Sequence, residues 1–260
     1  MICHATGFCG RTYEALGEAL TSGHRVFAVD LRGHGHSPTT ANGDFSWRSI
    51  VDDVAVAIDA IGGPVHLFGH SMGGAVALQA EADRPGLLTS AFVYESMVVP
   101  PGIELPGAAE NYLAVGSRRR REVFASRAEA IWRYASRPPL SVLSARSLAS
   151  YVEHGFEDLE DGTVRLRCRG ESEALVFEAT GSVTTESLAG VRVPTVVATG
   201  DPSQSDLASI TRRAAEVVPG ARLLVCEGLG HFGPLEGPAS VATEILAFTS
   251  RIDGDNRPSG

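Results

Sequence analysis

The sequence predicts an α/β fold: a doubly wound, mostly parallel sheet with helices on both faces and a mainly helical cap insertion. Three observations predict it. The apolar runs are near-continuous and not alternating, as in strands buried on both faces. They alternate with stretches of helical periodicity, the pattern of a wound parallel sheet. This alternation stops between residues 99 and 188 and then resumes.

Taken in order, strand-like runs lie at 26–31, 65–68, 91–94, 193–199 and 222–226. Helical periodicity marks 11–21, 47–61, 72–82, 206–218 and 239–252, with Ser46 as N-cap of the second helix and Asp206 capping the fourth. Only three residues precede His4, too few for a buried strand with others before it, so either an N-terminal piece is missing or the sheet begins late. The interrupted stretch carries helix-like segments at 111–124, 127–135 and 142–153, broken by Pro138-Pro139 and by Gly155, Gly162 and Gly170. The expected organisation is therefore a core from 1–98 and 189–260, with a lid over the strand ends at 99–188. The tail 253–260 is expected to fray.

A chain of 260 residues with 43% hydrophobic and 20% charged content belongs to a soluble globular protein. Its net charge of -9 opposes general nucleic-acid binding, because the phosphate backbone would repel it. No apolar stretch reaches the roughly 18 residues that span a bilayer, and the first residues lack the basic and apolar regions of a secretory signal. A cytoplasmic location and a small-molecule partner are the expectations. The four cysteines (Cys3, Cys9, Cys168 and Cys226) form no C-x-x-C pair and read as reduced, partly buried small hydrophobes. Oligomeric state leaves no mark in the sequence.

One turn carries the chemistry. Gly69-His70-Ser71-Met72-Gly73-Gly74 sits between a strand-like run and a helical one. In a G-x-S-x-G turn the serine takes a strained conformation at the strand tip, and flanking glycines remove side chains that would collide. The motif alone is common, so its context must support it.

A serine hydroxyl needs a base, an acid to orient that base, and donors for an oxyanion. His231, on the glycine-flexed loop after the last strand, is the candidate base. Met72 and Phe8 are the candidate oxyanion donors through their backbone N–H groups, Phe8 from the His4-Ala5-Thr6-Gly7-Phe8 loop. His34 and His36 lack a companion carboxylate or cysteine at ligand spacing, so no metal is expected, and their glycine-rich turn reads as a brace. His70 is expected to pack on the sheet, and His4 to hydrogen-bond the oxyanion loop. For the acid there are two candidates: Glu95, at the end of the strand after the nucleophile helix, is favoured because its longer side chain could reach His231, over Asp201, just past Gly200.

The set formed by the His4 to Phe8 loop, Asp30-Leu31-Arg32-Gly33-His34-Gly35-His36-Ser37, the Ser71 turn and Gly230-His231-Phe232 resembles the α/β-hydrolase fold superfamily, in its capped esterase and lactonase-like branch. The resemblance covers the chain from His4 to about Arg251. It implies a serine hydrolase of carboxylic esters or lactones working through an acyl-enzyme, without a cofactor. A C–C bond hydrolase, a non-catalytic ligand receptor, or a cofactor-free lyase or peroxidase-like enzyme are alternatives on the same fold. Most relatives take the acid from a Gly-x-x-Asp turn, where this chain has Ser203; a minority take it from the position of Glu95.

Two further features are expected to be structural. Arg118 to Arg121 reads as a solvated helix face, since consecutive arginines point around the helix. Phe124, Trp132, Tyr134 and Tyr151 are spaced as a core face, with a pocket wall as their second role.

Overall fold

The computed structural model describes residues 1–39, 43–99, 110–180 and 183–255. Six parallel strands form the central sheet: β1 (Ile2–Cys3), β2 (Ala28–Val29), β3 (Val65–His70), β4 (Leu88–Tyr94), β8 (Thr195–Gly200) and β9 (Arg222–Cys226), in the order β2-β1-β3-β4-β8-β9. The run at 26–31 shortens to two residues as β2. Its neighbour among the described residues, β1, offers Ile2 and Cys3 for pairing.

Successive side chains of each strand point to opposite faces, and two cores result. Ala91 and Val93 of β4 join one core with α2 (Trp47–Ile61), α3 (Met72–Asp83) and α8 (Ala208–Val217). Phe92 and Tyr94 join the other with α1 (Glu14–Leu20), α9 (Gly233–Glu236) and α10 (Pro238–Asp255). Helix α2 shows why these segments are helical. Ser46 caps it by accepting from the Ser49 N–H, and Trp47, Ile50, Val51, Val54 and Ile58 bury one stripe. Each large apolar side chain buried there contributes about 1.5–3 kcal/mol. Helix α8 starts two residues later than the 206–218 segment predicts, with Ser205 and not Asp206 accepting the Leu207 N–H.

Between β4 and β8 lies a unit of α4 (Tyr112–Arg118), β5 (Val123–Phe124), α5 (Arg127–Ala135), α6 (Ala145–His154), β6 (Phe156–Asp158), β7 (Val164–Leu166) and α7 (Gly170–Glu178). The strands form a small antiparallel sheet, β5-β7-β6, that the sequence does not reveal. Strands of two or three residues are too short to show a period. The helix expected over 111–124 therefore stops at Arg118, and Phe124 enters this sheet. Trp132 is 68% exposed, against the core role expected of it, while Phe124 and Tyr151 are buried.

No described helix is long and apolar enough to cross a membrane. The expected fraying of 253–260 falls largely outside the described residues; α10 continues through Asp255.

Candidate active site

Ser71 stands between β3 and α3 with φ 53° and ψ −120°. Among the described residues it shares positive φ outside glycine with only one other, Glu95 at φ 41°. Such strain costs about 1–3 kcal/mol per residue and gathers where geometry serves chemistry. The Ser71 N–H donates to Tyr94 O at 2.9 Å, which fixes the turn against the end of β4. A side chain at Gly69 would run into the backbone of Gly74, so the strand and helix cross here only because that position has none.

Glu95 follows β4, flanked by the strand that carries Ser71 and by β8, and its N–H donates to Ala198 O at 2.8 Å. Its carboxylate is fully buried and accepts four hydrogen bonds. Thr199 Oγ1 and the Gly200 N–H reach Oε1 at 3.0 and 2.8 Å. Ser205 Oγ and His231 Nδ1 reach Oε2 at 2.8 Å each. These donors match the lone-pair sites of an ionised carboxylate. Burial alone pushes this carboxyl up, but the bonds from His231, Ser205 and Gly200 outweigh it and hold its pKa at about 2.

His231 therefore carries its hydrogen on Nδ1, which leaves Nε2 as the basic nitrogen. Its loop is pinned at several points: Tyr94 donates to Gly230 O, the Gly230 N–H to Glu236 and the Asp201 N–H to Leu229 O. Asp201, the other candidate acid, does not meet His231. Its carboxylate accepts from Ser203 and from the Gly228 N–H. The turn it closes, with the N–H groups of Gln204 and Ser205 on Asp201 O, brings Ser205 to Glu95.

The Met72 N–H opens α3, where no earlier turn supplies an acceptor. The Phe8 N–H donates to Ala5 O at 3.2 Å, a long bond within its own loop. That loop is braced by His34, from the glycine-rich turn, and by its own His4. His34 Nε2 accepts the Gly7 N–H at 3.1 Å, and His4 Nε2 accepts the Leu31 N–H at 3.0 Å. Both must be neutral to do so; burial, with His34 alongside, pushes His4 down to about 3. No group of three or more His, Cys, Asp or Glu among the described residues could hold a metal ion.

The unit between β4 and β8 reaches the same loop. Tyr151 packs on Phe8 with ring centroids 5.2 Å apart, and the Glu173 carboxylate lies against Gly7. Glu173 accepts from Arg120 Nη1 at 2.6 Å, and Arg120 Nη2 donates to Tyr151 at 2.6 Å. The arginine run is thus not uniformly a solvated face. Arg118 and Arg121 make exposed ion pairs, but Arg120 points inward. Cavities of about 320 and 230 Å³ open at the strand N-terminal ends, and neither is lined by Ser71, Glu95 or His231. Ser205, Thr199 and Glu173 escape sequence reasoning, because their contacts depend on register and not on spacing.

Residues 1–244 match the model of the Alpha/beta hydrolase family. The chain belongs to that family. Over 246 residues the hydrolase is 26% identical to a protein of Variovorax paradoxus (strain S110) assigned as the carbamate hydrolase RutD, covering 94% of this chain and 88% of that one. It is 36% identical over 90 residues to the pimeloyl-(acyl-carrier protein) methyl ester esterase of Methylococcus capsulatus, covering 35% of this chain and 34% of the other. Among solved structures, E-2-(acetamidomethylene)succinate hydrolase superposes with a TM-score of 0.78 at 21% identity, over 96% of this chain and 90% of that one. This last likeness is one of fold.

Proposed function

We propose that the hydrolase cleaves a carboxylic ester or lactone of a small molecule through an acyl-enzyme on Ser71. The observation that carries this reading is the 2.8 Å bond from His231 Nδ1 to a buried, ionised Glu95 beside a serine on a strained turn. Ser71 Oγ attacks the carbonyl carbon while His231 Nε2 takes its proton. Glu95 holds the His231 tautomer and stabilises the imidazolium that forms. The Met72 and Phe8 N–H groups meet the tetrahedral oxyanion, which displaces the long Phe8 to Ala5 bond. The intermediate expels the alcohol, which receives the proton from His231. Water activated by His231 then attacks the acyl carbonyl and releases the acid and Ser71.

Residues 99–188 act in this reading as a cap, with Tyr151, Glu173 and Arg120 over the loop that carries Phe8. A carbamate carbonyl is a second reading, supported by the RutD-assigned relative that aligns along most of both chains. A cytoplasmic setting agrees with four unpaired, buried cysteines.

Fluorophosphonate labelling tests the proposal. The folded protein should be labelled at Ser71 and the Ser71→Ala variant should not, with hydrolysis of p-nitrophenyl acetate following the same pattern. Activity that survives Ser71→Ala, or folded protein that resists the probe, would overturn it.

A further inference from the structure

A buried chain of hydrogen bonds runs beneath the site and joins its two sides. The Ala5 N–H, in the loop that carries Phe8, donates to the Tyr13 hydroxyl at 3.1 Å. Tyr13 Oη lies 2.7 Å from His70 Nδ1, and His70 Nε2 lies 2.8 Å from the carbonyl oxygen of His231. Ala5, Tyr13 and His70 are all buried.

Chemistry sets every direction in this chain. A carbonyl oxygen only accepts, so His70 Nε2 carries a hydrogen. The neutral ring then presents a lone pair at Nδ1, to which Tyr13 gives its phenolic hydrogen while its oxygen receives the Ala5 N–H. The other neutral tautomer would set the Nε2 lone pair against the His231 carbonyl. Burial, and the His231 ring 5.0 Å away, both disfavour a charged His70. The titratable groups around it are Tyr13, Tyr94, His231, Glu95 and His4.

We propose that Tyr13 and His70 are positioning residues that hold the backbone of His231 in register with Ser71 and tie it to the Phe8 loop. The proposal rests on the reading of Ser71 and His231 as nucleophile and base. His70 precedes Ser71 in the chain, so one imidazole links nucleophile, base and oxyanion loop.

The test combines a spectroscopic and a kinetic arm. Nitrogen-15 NMR of the histidine-labelled wild-type protein should find His70 as the neutral Nε2–H tautomer at neutral pH, a measurement that needs no variant. Tyr13→Phe keeps the ring and removes both bonds. It should release that tautomer and lower kcat for p-nitrophenyl acetate about tenfold with KM unchanged. His70→Gln, whose side-chain N–H can reach the same carbonyl, should keep about tenfold more activity than His70→Leu. A charged or Nδ1–H His70 in the wild type overturns the proposal, as does a Tyr13→Phe enzyme that is less stable but turns over at the wild-type rate. Failure of the wild type to label at Ser71 would instead sink the hydrolase reading, which the tautomer measurement does not touch.

Discussion

Glu95 accepts four hydrogen bonds and donates none, so its site tolerates only an ionised carboxylate. In Glu95→Gln the amide would face two donors with a third, and His231 would lose its acceptor. Steady-state kinetics should show kcat down about a thousandfold with KM little changed. Asp201→Asn should leave kcat within about twofold, since that carboxylate serves the turn and its partners are Ser203 and Gly228. The carboxyl also makes stability depend on pH. Its folded-state value of about 2 lies below the ordinary 4.5, so its contribution is complete above about 4.5 and is lost as pH falls toward 2. Denaturant titrations through that window should show the wild type losing stability faster than Glu95→Gln. Sequence reasoning reaches both acids and leans to Glu95 for the length of its side chain, but the contact itself depends on the pairing of β4 with β3 and β8 and not on position along the chain.

At the scale of elements, the strand–turn–helix around Ser71 is the part most open to sequence reading. Its signal is local: an apolar run, two glycines at fixed offsets, then a helical pattern. The crossing of β3 and α3 explains those glycines by contact. Gly69→Ala would drive a methyl into the Gly74 backbone and should cost about 3 kcal/mol in thermal unfolding. Gly116 lies in α4 with open space around it, so Gly116→Ala should stabilise the protein by about 0.5–1 kcal/mol. Equal effects from the two changes would refute the close-approach account. The unit between β4 and β8 is far less legible. Its strands β5, β6 and β7 exist through pairing with one another, and none is long enough to announce itself.

Across the whole molecule, an ion pair inside that unit packs against the loop that carries Phe8, and no local pattern marks it. Arg120 and Glu173 meet 53 residues apart, with Tyr151 as a third partner, directly against Gly7. Removing one member of a largely buried pair leaves the other uncompensated beside the loop that carries Phe8. Arg120→Met alone should therefore cost about 3 kcal/mol, while Arg120→Met with Glu173→Gln should recover much of it in a thermal double-mutant cycle. Additive losses would mean that the two do not act as a pair. From the sequence by itself follow the wound parallel sheet, the serine turn and the order of serine before histidine, since periodicity and turn chemistry are properties of neighbouring residues. Tertiary structure alone decides that Glu95 and not Asp201 bonds to His231, that Ser205 completes the carboxylate, and that Arg120 turns inward while Arg118 stays in solvent. Each of these depends on register and packing between segments far apart in the chain, where the free energy of a contact is set by geometry that no stretch of sequence contains.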